Sequence, residues 1–361
     1  MSQVYLAALA GAVTLVLSVS LPFAVRPLLL KLGIMDVPNE RSSHERPVLR
    51  GLGLAVLIAM LCGGAAMTVL VFVLERGGAD WLFLLAIVLG SCAAGLLGLR
   101  EDLRGLSVPV RSAFLLLIAA TCAVALLWIA HRGGGAASFG WRLGLNVQDL
   151  STWVLALLAV YGVLFISSYI NVANFMDGLN GISGFHGVLA GLTFAASGWL
   201  VGSVWLLVAG LVLAAGFAGF LPWNLTKPGA FLGDVGSYLL GGSVAIISFA
   251  AFVDGVPFLA TIGPMVIYFG DVGVTLVKRM RAGHKWDEPH KEHTYQRIQQ
   301  LGYSHVQASG IAALCTLATS LLGLGSLFTS LLGTLALLVA GLAVLVFYLA
   351  LPRLLSPRRI G

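Results

Sequence analysis

Residues 152–170 read TWVLALLAVYGVLFISSYI, and residues 171–184 continue as NVANFMDGLNGISG. The first stretch has no charged residue and is long enough, at about 1.5 Å per residue, to cross most of about 30 Å of hydrocarbon as a helix. The second stretch sets three asparagines and an aspartate at the end of that helix. Together the two stretches predict a transmembrane helix that ends in a polar site.

The composition of the whole chain extends this prediction. Of its 361 residues, 59% are hydrophobic and only 10% are charged, whereas soluble domains carry about 25% charged residues. Apolar runs of spanning length predict eleven helices near 3–25, 53–74, 81–99, 112–130, 152–170, 182–201, 203–221, 236–253, 258–277, 306–327 and 330–351. Almost nothing separates the sixth run from the seventh, so ten helices are the alternative. We therefore expect an all-α polytopic membrane protein.

The positions of the cations predict the orientation of these helices. With the N-terminus outside, the outer segments hold Arg76, Arg132 and Arg142, and every other lysine and arginine falls in an inner segment. Basic residues concentrate in cytoplasmic loops, so the N-terminus is expected in the periplasm and the C-terminus in the cytoplasm. The net charge of +6 then reflects loops that face anionic lipid. It gives no indication of nucleic-acid binding.

One membrane domain, residues 1–361, is predicted, with cytoplasmic loops at 31–52, 100–111, 171–181, 222–236 and 278–305. Five acidic residues lie within a turn or two of the inner ends of spans. They are Glu101, Asp102, Asp177, Asp234 and Asp271. A carboxylate costs up to about 3 kcal/mol if it enters hydrocarbon. Five of them on one face therefore predict a shared polar cavity.

The segment Asn171–Gly184 is the first candidate to line such a cavity. At about 100° per residue, Asn171, Asn174 and Asp177 fall within an arc of about 120°. Amides and a carboxylate on one face can hydrogen-bond a base, a ribose or an N-acetyl group. The alternative is a plain helix end capped by Asn and Asp, but capping needs one polar residue and this segment supplies four.

Two further acidic motifs suit a metal ion and a phosphate. Glu101 and Asp102 point to different sides of a helix, so one could hold a metal while the other handles a proton; an ordinary charged helix end is the alternative. Asp234 stands in GDVGS (233–237), before an apolar helix whose free N–H groups suit an anion. Mg²⁺ prefers one or two carboxylates plus phosphate oxygens, so Asp234 could hold it. A tight turn with an Asp cap is the alternative there.

Two inner loops carry histidines and cations. In PHKEHTYQR (289–297), a helix would put His290, His293 and Arg297 on one stripe. That stripe fits phosphate better than zinc, because no third soft ligand is near; a solvated helix face is the alternative. The loop DVPNERSSHERPVLR (36–50) contains Arg41 and His44, and an ordinary positive-inside loop explains it nearly as well.

In combination, these motifs resemble one protein family. The chain has, in order, DxPNxRxxH (36–44), an acidic pair after the third helix, NxxNxxDGxxG (171–181), Asn224 ten residues before the Asp of GDxGS, then Asp271, and HxxH (290–293). This order is similar to that of the bacterial polyprenyl-phosphate N-acetylhexosamine-1-phosphate transferases, over about residues 30–305. Members of that family transfer a sugar phosphate from a UDP-activated N-acetyl sugar to undecaprenyl phosphate, release UMP and need Mg²⁺.

The resemblance implies a role for each motif. Glu101 and Asp102 match the acidic pair that activates the lipid phosphate or helps to bind metal. Asp234 matches the Mg²⁺-binding aspartate, with Asp102 as the second expected metal ligand. Expected substrate-binding residues are Arg41, His44, Asn171, Asn174, Asp177, Asn180, Asn224, Phe231 and Asp271. His290 and His293 match a loop near the phosphates of the sugar nucleotide, where Arg297 is expected to act with them.

Three departures from the family pattern narrow the prediction. The acidic pair is Glu101–Asp102 where two aspartates are usual, which leaves open which member acts as the base. Asn180 stands at a position that is often Asp. The loop around His290 lacks the consecutive histidines of the peptidoglycan enzyme and is similar to the O-antigen or enterobacterial-antigen branch. The expected donor is therefore UDP-GlcNAc or a deoxy relative such as UDP-QuiNAc or UDP-FucNAc, and the expected pathway is the initiation of lipopolysaccharide O-antigen.

The expected enzyme uses Mg²⁺, with Mn²⁺ as an alternative, and binds a UDP-N-acetyl sugar and undecaprenyl phosphate. It is expected in the bacterial inner membrane with its active site facing the cytoplasm, and a homodimer is left open. Two alternatives remain. One is the phospho-N-acetylmuramoyl-pentapeptide transferase of peptidoglycan synthesis. The other is a secondary transporter, which is disfavoured because the acids cluster at one rim and the sequence has no convincing internal repeat.

Overall fold

The computed structural model describes residues 3–36, 48–74, 78–133, 146–226, 229–284 and 291–358. Within these ranges, eleven helices are long and apolar enough to cross a membrane. A left-handed turn at Gly202, with a φ of 77°, separates the sixth span from the seventh. The prediction of an all-α polytopic protein is confirmed, with eleven spans rather than ten.

The helices follow one another through short connections. They are α1 (Gln3–Ser20), α2 (Pro22–Lys31), α3 (Gly53–Leu74), α4 (Asp80–Arg104), α5 (Val108–Gly133), α6 (Thr152–Met176), α7 (Ile182–Val201), α8 (Val204–Leu225), α9 (Gly233–Val253), α10 (Phe258–Ile262), α11 (Val266–Arg281), α12 (Thr294–Gln300), α13 (His305–Gly325) and α14 (Leu331–Leu354). Three 3-10 turns lie at Val147–Asp149, Gly263–Met265 and Ser326–Phe328. Two short strands, β1 (Met35–Asp36) and β2 (Val48–Leu49), pair antiparallel.

Two spans differ from the sequence prediction, and proline contributes to both differences. The first span continues through α1 and α2 to Lys31, beyond the expected end at residue 25. Pro22 opens α2, a position where its missing N–H costs nothing. The ninth span, expected as one helix over 258–277, is interrupted by a 3-10 turn that contains Pro264. Proline cannot donate the backbone hydrogen bond that a continuous helix needs there.

Helix α9 lies at the centre of the bundle and is buried along nearly its whole length. It packs against α4 and α6. A Cβ atom at Gly98 of α4 would overlap the backbone oxygen of Asp234, and one at Gly241 would lie 2.6 Å from the Cα of Ile170 in α6. Helices in a membrane associate through such close packing of small residues. The contacts hold the first turn of α9 against the C-terminal part of α4.

Helix α14, by contrast, lies at the periphery and exposes most of its apolar residues. Tyr348 is an exception: it is fully buried, and its hydroxyl donates a hydrogen bond of 3.0 Å to Asp271 in α11. One polar contact therefore ties a helix with an otherwise lipid-facing surface to the interior of the bundle.

Several chain segments meet at one end of the bundle. The C-terminal ends of α4 and α6 lie there with the first turn of α9, and β2 runs beside the segment that leads into α9. Leu49 forms a parallel bridge with Ala230, and the Leu52 amide donates to the Phe231 oxygen at 3.2 Å. This end of the bundle holds most of the polar residues that the sequence singles out.

Candidate active site

The first turn of α9 is fixed by a carboxylate from another helix. The backbone amides of Asp234 and Val235 donate to the two oxygens of Asp102, at 3.0 and 2.9 Å. The first amides of a helix lack partners within the helix, and a negative charge beside them is favourable. Asp102 is therefore a cap for α9 supplied by α4, and its side chain is only 1% exposed.

Arg50 links this cap to the acid that follows it. Its Nε lies 3.0 Å from Asp102 Oδ1, and its Nη2 lies 2.8 Å from Asp234 Oδ2. The guanidinium is 36% exposed, whereas the Asp234 side chain is 19% exposed. Sequence reasoning placed Arg50 in a basic loop but missed it as a site residue. Its position just before Gly51 and the start of α3 was the available signal.

Asn174 holds the other side of Asp234. Its Nδ2 donates to Asp234 Oδ1 at 2.8 Å and to Ser237 Oγ at 2.9 Å. Asn171 behaves differently: its amide donates to the Ser167 oxygen in its own helix, at 3.0 Å. Of the two asparagines expected on one arc of α6, Asn174 therefore contacts Asp234, whereas the side chain of Asn171 bonds to the backbone of its own helix.

Asp177 ends α6 and adds a second carboxylate near Asp234. It accepts a hydrogen bond of 2.6 Å from the hydroxyl of Ser183. Part of the residue reaches the surface, but protein encloses the carboxyl group. Burial raises the pKa of Asp177 to about 7, and repulsion from Asp234 adds to the rise, although the bond from Ser183 opposes it. The carboxyl group of Asp177 therefore keeps its proton to a higher pH than an exposed aspartate does.

Glu101 differs from its neighbour Asp102 in having one carboxylate oxygen without a hydrogen bond among the described residues. Its Oε1 lies 3.5 Å from Arg111, and its side chain is 14% exposed. Its Oε2 is buried and has no hydrogen-bond partner among the residues that the structure describes. Both oxygens of Asp102, in contrast, are occupied by backbone amides and Arg50. The oxygens of Asp102 are buried and bonded to these groups, and its role as a metal ligand stays a prediction.

The amides of Asn180 and Asn224 build a scaffold beside the carboxylates. Asn224 accepts from the Gly181 amide and donates to the Ala230 oxygen at 2.9 Å. Asn180 donates to the Asn224 backbone oxygen at 2.6 Å, and its Oδ1 lies 3.0 Å from a ring nitrogen of His305. The two side chains, expected to bind substrate, clamp the turn after Asp177 to the segment before α9.

The loop that carries His293 is anchored by Asp271. This aspartate is 0% exposed and accepts from the Thr294 amide at 3.0 Å and from Tyr348. His293 is nearly buried, and its Nδ1 lies 3.5 Å from Asp271 Oδ1. The prediction that Asp271 contacts substrate stays a prediction. Its place in the structure is that of a loop anchor.

The same loop approaches the Asp177 turn from the other side. Tyr295 donates to the backbone oxygen of Phe175 at 3.1 Å, close to the end of α6. Arg297 lies on the exposed face of α12, and Phe231 joins its backbone amide to the Leu49 oxygen at 2.8 Å. The predicted site residues Arg41, His44 and His290 lie outside the described residues.

The acidic side chains at the site determine whether it can hold Mg²⁺. No group of three or more His, Cys, Asp or Glu side chains that could hold a metal ion occurs in the described ranges. Mg²⁺ does not need such a group, since it is commonly held by one or two carboxylates and by phosphate oxygens of the substrate. The Asp234 side chain is partly exposed, so its carboxylate fits this role.

The fold is that of a polytopic membrane protein with a polar site at one end of its helical bundle. A sequence profile of glycosyl transferase family 4 matches residues 84–252. That range contains the acidic pair, the Asn174–Asp177 segment, Asn224 and Asp234. This match supports the resemblance to the polyprenyl-phosphate N-acetylhexosamine-1-phosphate transferases.

Individual relatives agree with this assignment. The chain is 27% identical over 284 residues to a probable undecaprenyl-phosphate N-acetylglucosaminyl 1-phosphate transferase of Bacillus subtilis, covering 78% of this chain and 74% of the relative. It is 28% identical to the decaprenyl-phosphate N-acetylglucosaminephosphotransferase of Mycobacterium tuberculosis, over 78% of this chain and 72% of the relative. A phospho-N-acetylmuramoyl-pentapeptide-transferase of Desulforudis audaxviator is 31% identical, but over only 50% of this chain and 58% of the relative.

Proposed function

We propose that the protein transfers an N-acetylhexosamine-1-phosphate from a UDP-sugar to undecaprenyl phosphate and releases UMP. The observation that carries this proposal is the partly exposed carboxylate of Asp234, held at the start of α9 by Arg50 and Asn174 and backed by the Asp102 cap. Relatives named for N-acetylglucosaminyl 1-phosphate transfer match more of the chain than the muramoyl-pentapeptide relative does. They favour UDP-GlcNAc, or a deoxy relative such as UDP-QuiNAc or UDP-FucNAc, over the peptidoglycan precursor.

The reaction forms one phosphorus–oxygen bond and breaks another. An oxygen of the lipid phosphate attacks the β-phosphorus of the UDP-sugar, and the bond from that phosphorus to the bridging oxygen breaks, so that UMP leaves. The barrier to such transfers falls mainly through positioning and neutralisation of charge. Cations beside the diphosphate and an acceptor oxygen free of its proton are therefore the two requirements of this site.

Asp234 would hold Mg²⁺, which, when bound, supplies positive charge next to the diphosphate. The protein's own cations add to this. The half-buried guanidinium of Arg50 lies within 3 Å of Asp234, and Arg297 is exposed on α12. Arginine matches phosphate geometry with two parallel hydrogen bonds.

Glu101 is the residue we assign to the lipid phosphate. It has an oxygen that is not engaged by protein, and it can accept the proton of the acceptor phosphate or orient it. Asp102 does not compete for this role, because α9 and Arg50 occupy both of its oxygens. The Glu-Asp pair therefore divides the work: Glu101 handles the proton, and Asp102 positions Asp234.

The charge distribution supports a proposed cellular setting. Cations concentrate in the segments at the end of the bundle that holds the site, which favours a cytoplasmic site and a periplasmic N-terminus. UDP-sugars are cytoplasmic metabolites, so the orientation and the donor are compatible. The product would start a lipid-linked surface polysaccharide such as O-antigen in the bacterial inner membrane.

The test is a donor panel assayed with undecaprenyl phosphate and Mg²⁺, with UMP release and product mass as readouts. Asp234→Asn is expected to reduce UMP release by about 10²-fold or more, because it removes a charge that acts at the reacting phosphates. Asp149→Asn, an exposed aspartate before the first turn of α6 at the opposite end of that helix, is the matched control. Turnover of the Asp234→Asn variant at the wild-type rate, or a product only from the muramoyl-pentapeptide donor, would reject the proposal.

A further inference from the structure

A groove of about 540 Å³ lies between α7 and α13, on the side of the bundle that includes the C-terminal tail. This volume falls in the range of ligand sites. Its walls are apolar, with Phe185, Val188 and Leu189 on α7 and Ile311 and Leu314 among the residues on α13. None of the carboxylates of the candidate active site lines it.

The groove has the depth of one membrane leaflet. Along α13 it extends from Gln307 to Leu317, a rise of about 15 Å at 1.5 Å per residue, which is half of a hydrocarbon core of about 30 Å. Leu314 is 66% exposed along this path. An acyl chain of an ordinary phospholipid fits this depth, whereas a long polyprenyl chain would extend beyond it.

The polar residues of the groove gather at one end. Arg358 lies with its guanidinium carbon 4.1 Å from the centre of the Tyr303 ring, and its backbone amide donates to the Leu301 oxygen at 2.7 Å. Stacking on an aromatic ring orders the guanidinium and leaves its planar N–H edge able to bind phosphate. No carboxylate pairs with Arg358 among the described residues. A cation at the mouth of an apolar groove is complementary to an anionic head group on an acyl chain.

The groove lies next to the active-site scaffold without being part of it. The His305 ring at the start of α13 contacts Asn180, and Ser309 donates to the Asn180 oxygen at 2.9 Å. Phe185 lies one turn after Gly181 and faces the groove. A ligand here would therefore brace the turn that follows Asp177 from its membrane side.

We propose that this groove binds an anionic phospholipid, with one acyl chain between α7 and α13 and the phosphate on Arg358. The lipid is recognised by a leaflet-deep apolar path together with one ordered cation. It is a site separate from the transferase reaction and does not depend on the identity of the sugar donor.

Gly310 allows the groove to be filled without disturbing the fold. It lines the groove, and a Cβ atom at this position would meet no atom within 4 Å. Gly310→Leu should therefore occupy the groove with little strain. Gly273→Leu is the matched control, because Gly273 is also helical and open but lies outside the groove. For the cation, Arg358→Gln is matched by Arg353→Gln, an exposed arginine in the last turn of α14.

The experiment is native mass spectrometry of the delipidated full-length protein with phosphatidylglycerol or phosphatidylcholine of equal chain length. The expected result is a preference for phosphatidylglycerol of about fivefold, since one cation near a lipid surface contributes about that factor. Arg358→Gln should abolish the preference, and Gly310→Leu should reduce binding of both lipids. The two control variants should bind as the wild type does. Size-exclusion profiles verify that each variant is folded.

Four results would overturn the proposal. Equal binding of the two lipids by the wild type would remove the role of the cation. Unchanged binding by both groove variants would place the lipid elsewhere. Displacement of phosphatidylglycerol by undecaprenyl phosphate at equal concentration, or conversion of a dimer to a monomer by Gly310→Leu without loss of lipid, would assign the groove to the acceptor or to a second copy of this chain.

Discussion

Exchanging the two neighbouring acids for their amides should separate their roles. In Asp102→Asn, one carboxylate oxygen becomes an NH₂ group that faces a backbone N–H of Asp234 or Val235. The change removes one hydrogen bond to a charged acceptor, about 1.5–3 kcal/mol, and a favourable charge at the start of α9, about 0.3–2 kcal/mol. We expect a loss of about 3 kcal/mol in the free energy of unfolding, together with reduced turnover because Asp234 is displaced.

Glu101→Gln should have the opposite profile. Glu101 has one ion pair with Arg111 at 3.5 Å, and pairs of this kind contribute only about 0–1 kcal/mol to stability. Loss of a general base typically costs about 10²–10⁴-fold in rate. The variant should therefore melt within a few degrees of the wild type and lose kcat by at least 10²-fold.

The assay combines thermal unfolding of purified protein in detergent with steady-state UMP release, for both variants and for the Asp149→Asn control. Asp102→Asn should lower the apparent Tm by about 5 °C or more. If Asp102→Asn melts with the wild type but is inactive, Asp102 acts chemically and the capping role assigned to it is wrong. If Glu101→Gln keeps full kcat, the base lies elsewhere.

Three further predictions follow from the geometry. Gly98→Ala forces a methyl group into the Asp234 backbone oxygen, so it should cost about 1–3 kcal/mol and most of the activity, whereas Gly273→Ala, which has open space, should cost neither. Below pH 4 Asp177 is protonated whether folded or unfolded, and as pH rises to about 7 only the unfolded state releases its proton. In cation-free protein Asp177 should therefore lower the free energy of unfolding over pH 4–7 by up to about 4 kcal/mol, and Asp177→Asn should make the slope in pH-dependent melts shallower; an unchanged slope would contradict the assignment. Tyr348→Phe should raise the KM for the donor several-fold and speed hydrogen exchange at the Thr294 amide, because Asp271 loses its hydrogen bond from Tyr348. Phe347→Leu, on the exposed face of α14, is the control. Equal exchange at the Thr294 amide in both variants would count against the role of Asp271 as a loop anchor.

Much of the fold could be predicted because a membrane span is a local property. A run such as 152–170 must satisfy its backbone groups internally wherever it lies in the bundle, and only a helix does so over that length. Hydropathy therefore gave all eleven spans and most of their ends. Two features were not predicted, namely the extension of the first span to Lys31 and the interruption of the ninth span at Pro264. Both depend on packing and on single prolines within otherwise apolar runs.

For the candidate site, too, some features could be predicted from the sequence and others could not. The sequence by itself determined which segments carry acids, amides and histidines at one end of the spans, because such residues are costly in hydrocarbon and collect at helix ends. Only the tertiary structure decided their roles. Asp102 meets backbone amides 132 and 133 positions away, and Arg50 bridges acids from two other helices. Asp271 is buried, accepts a hydrogen bond from Tyr348 and anchors the loop that carries His293. No local pattern encodes these distances, because they arise when glycines such as Gly98 let separate helices pack in contact.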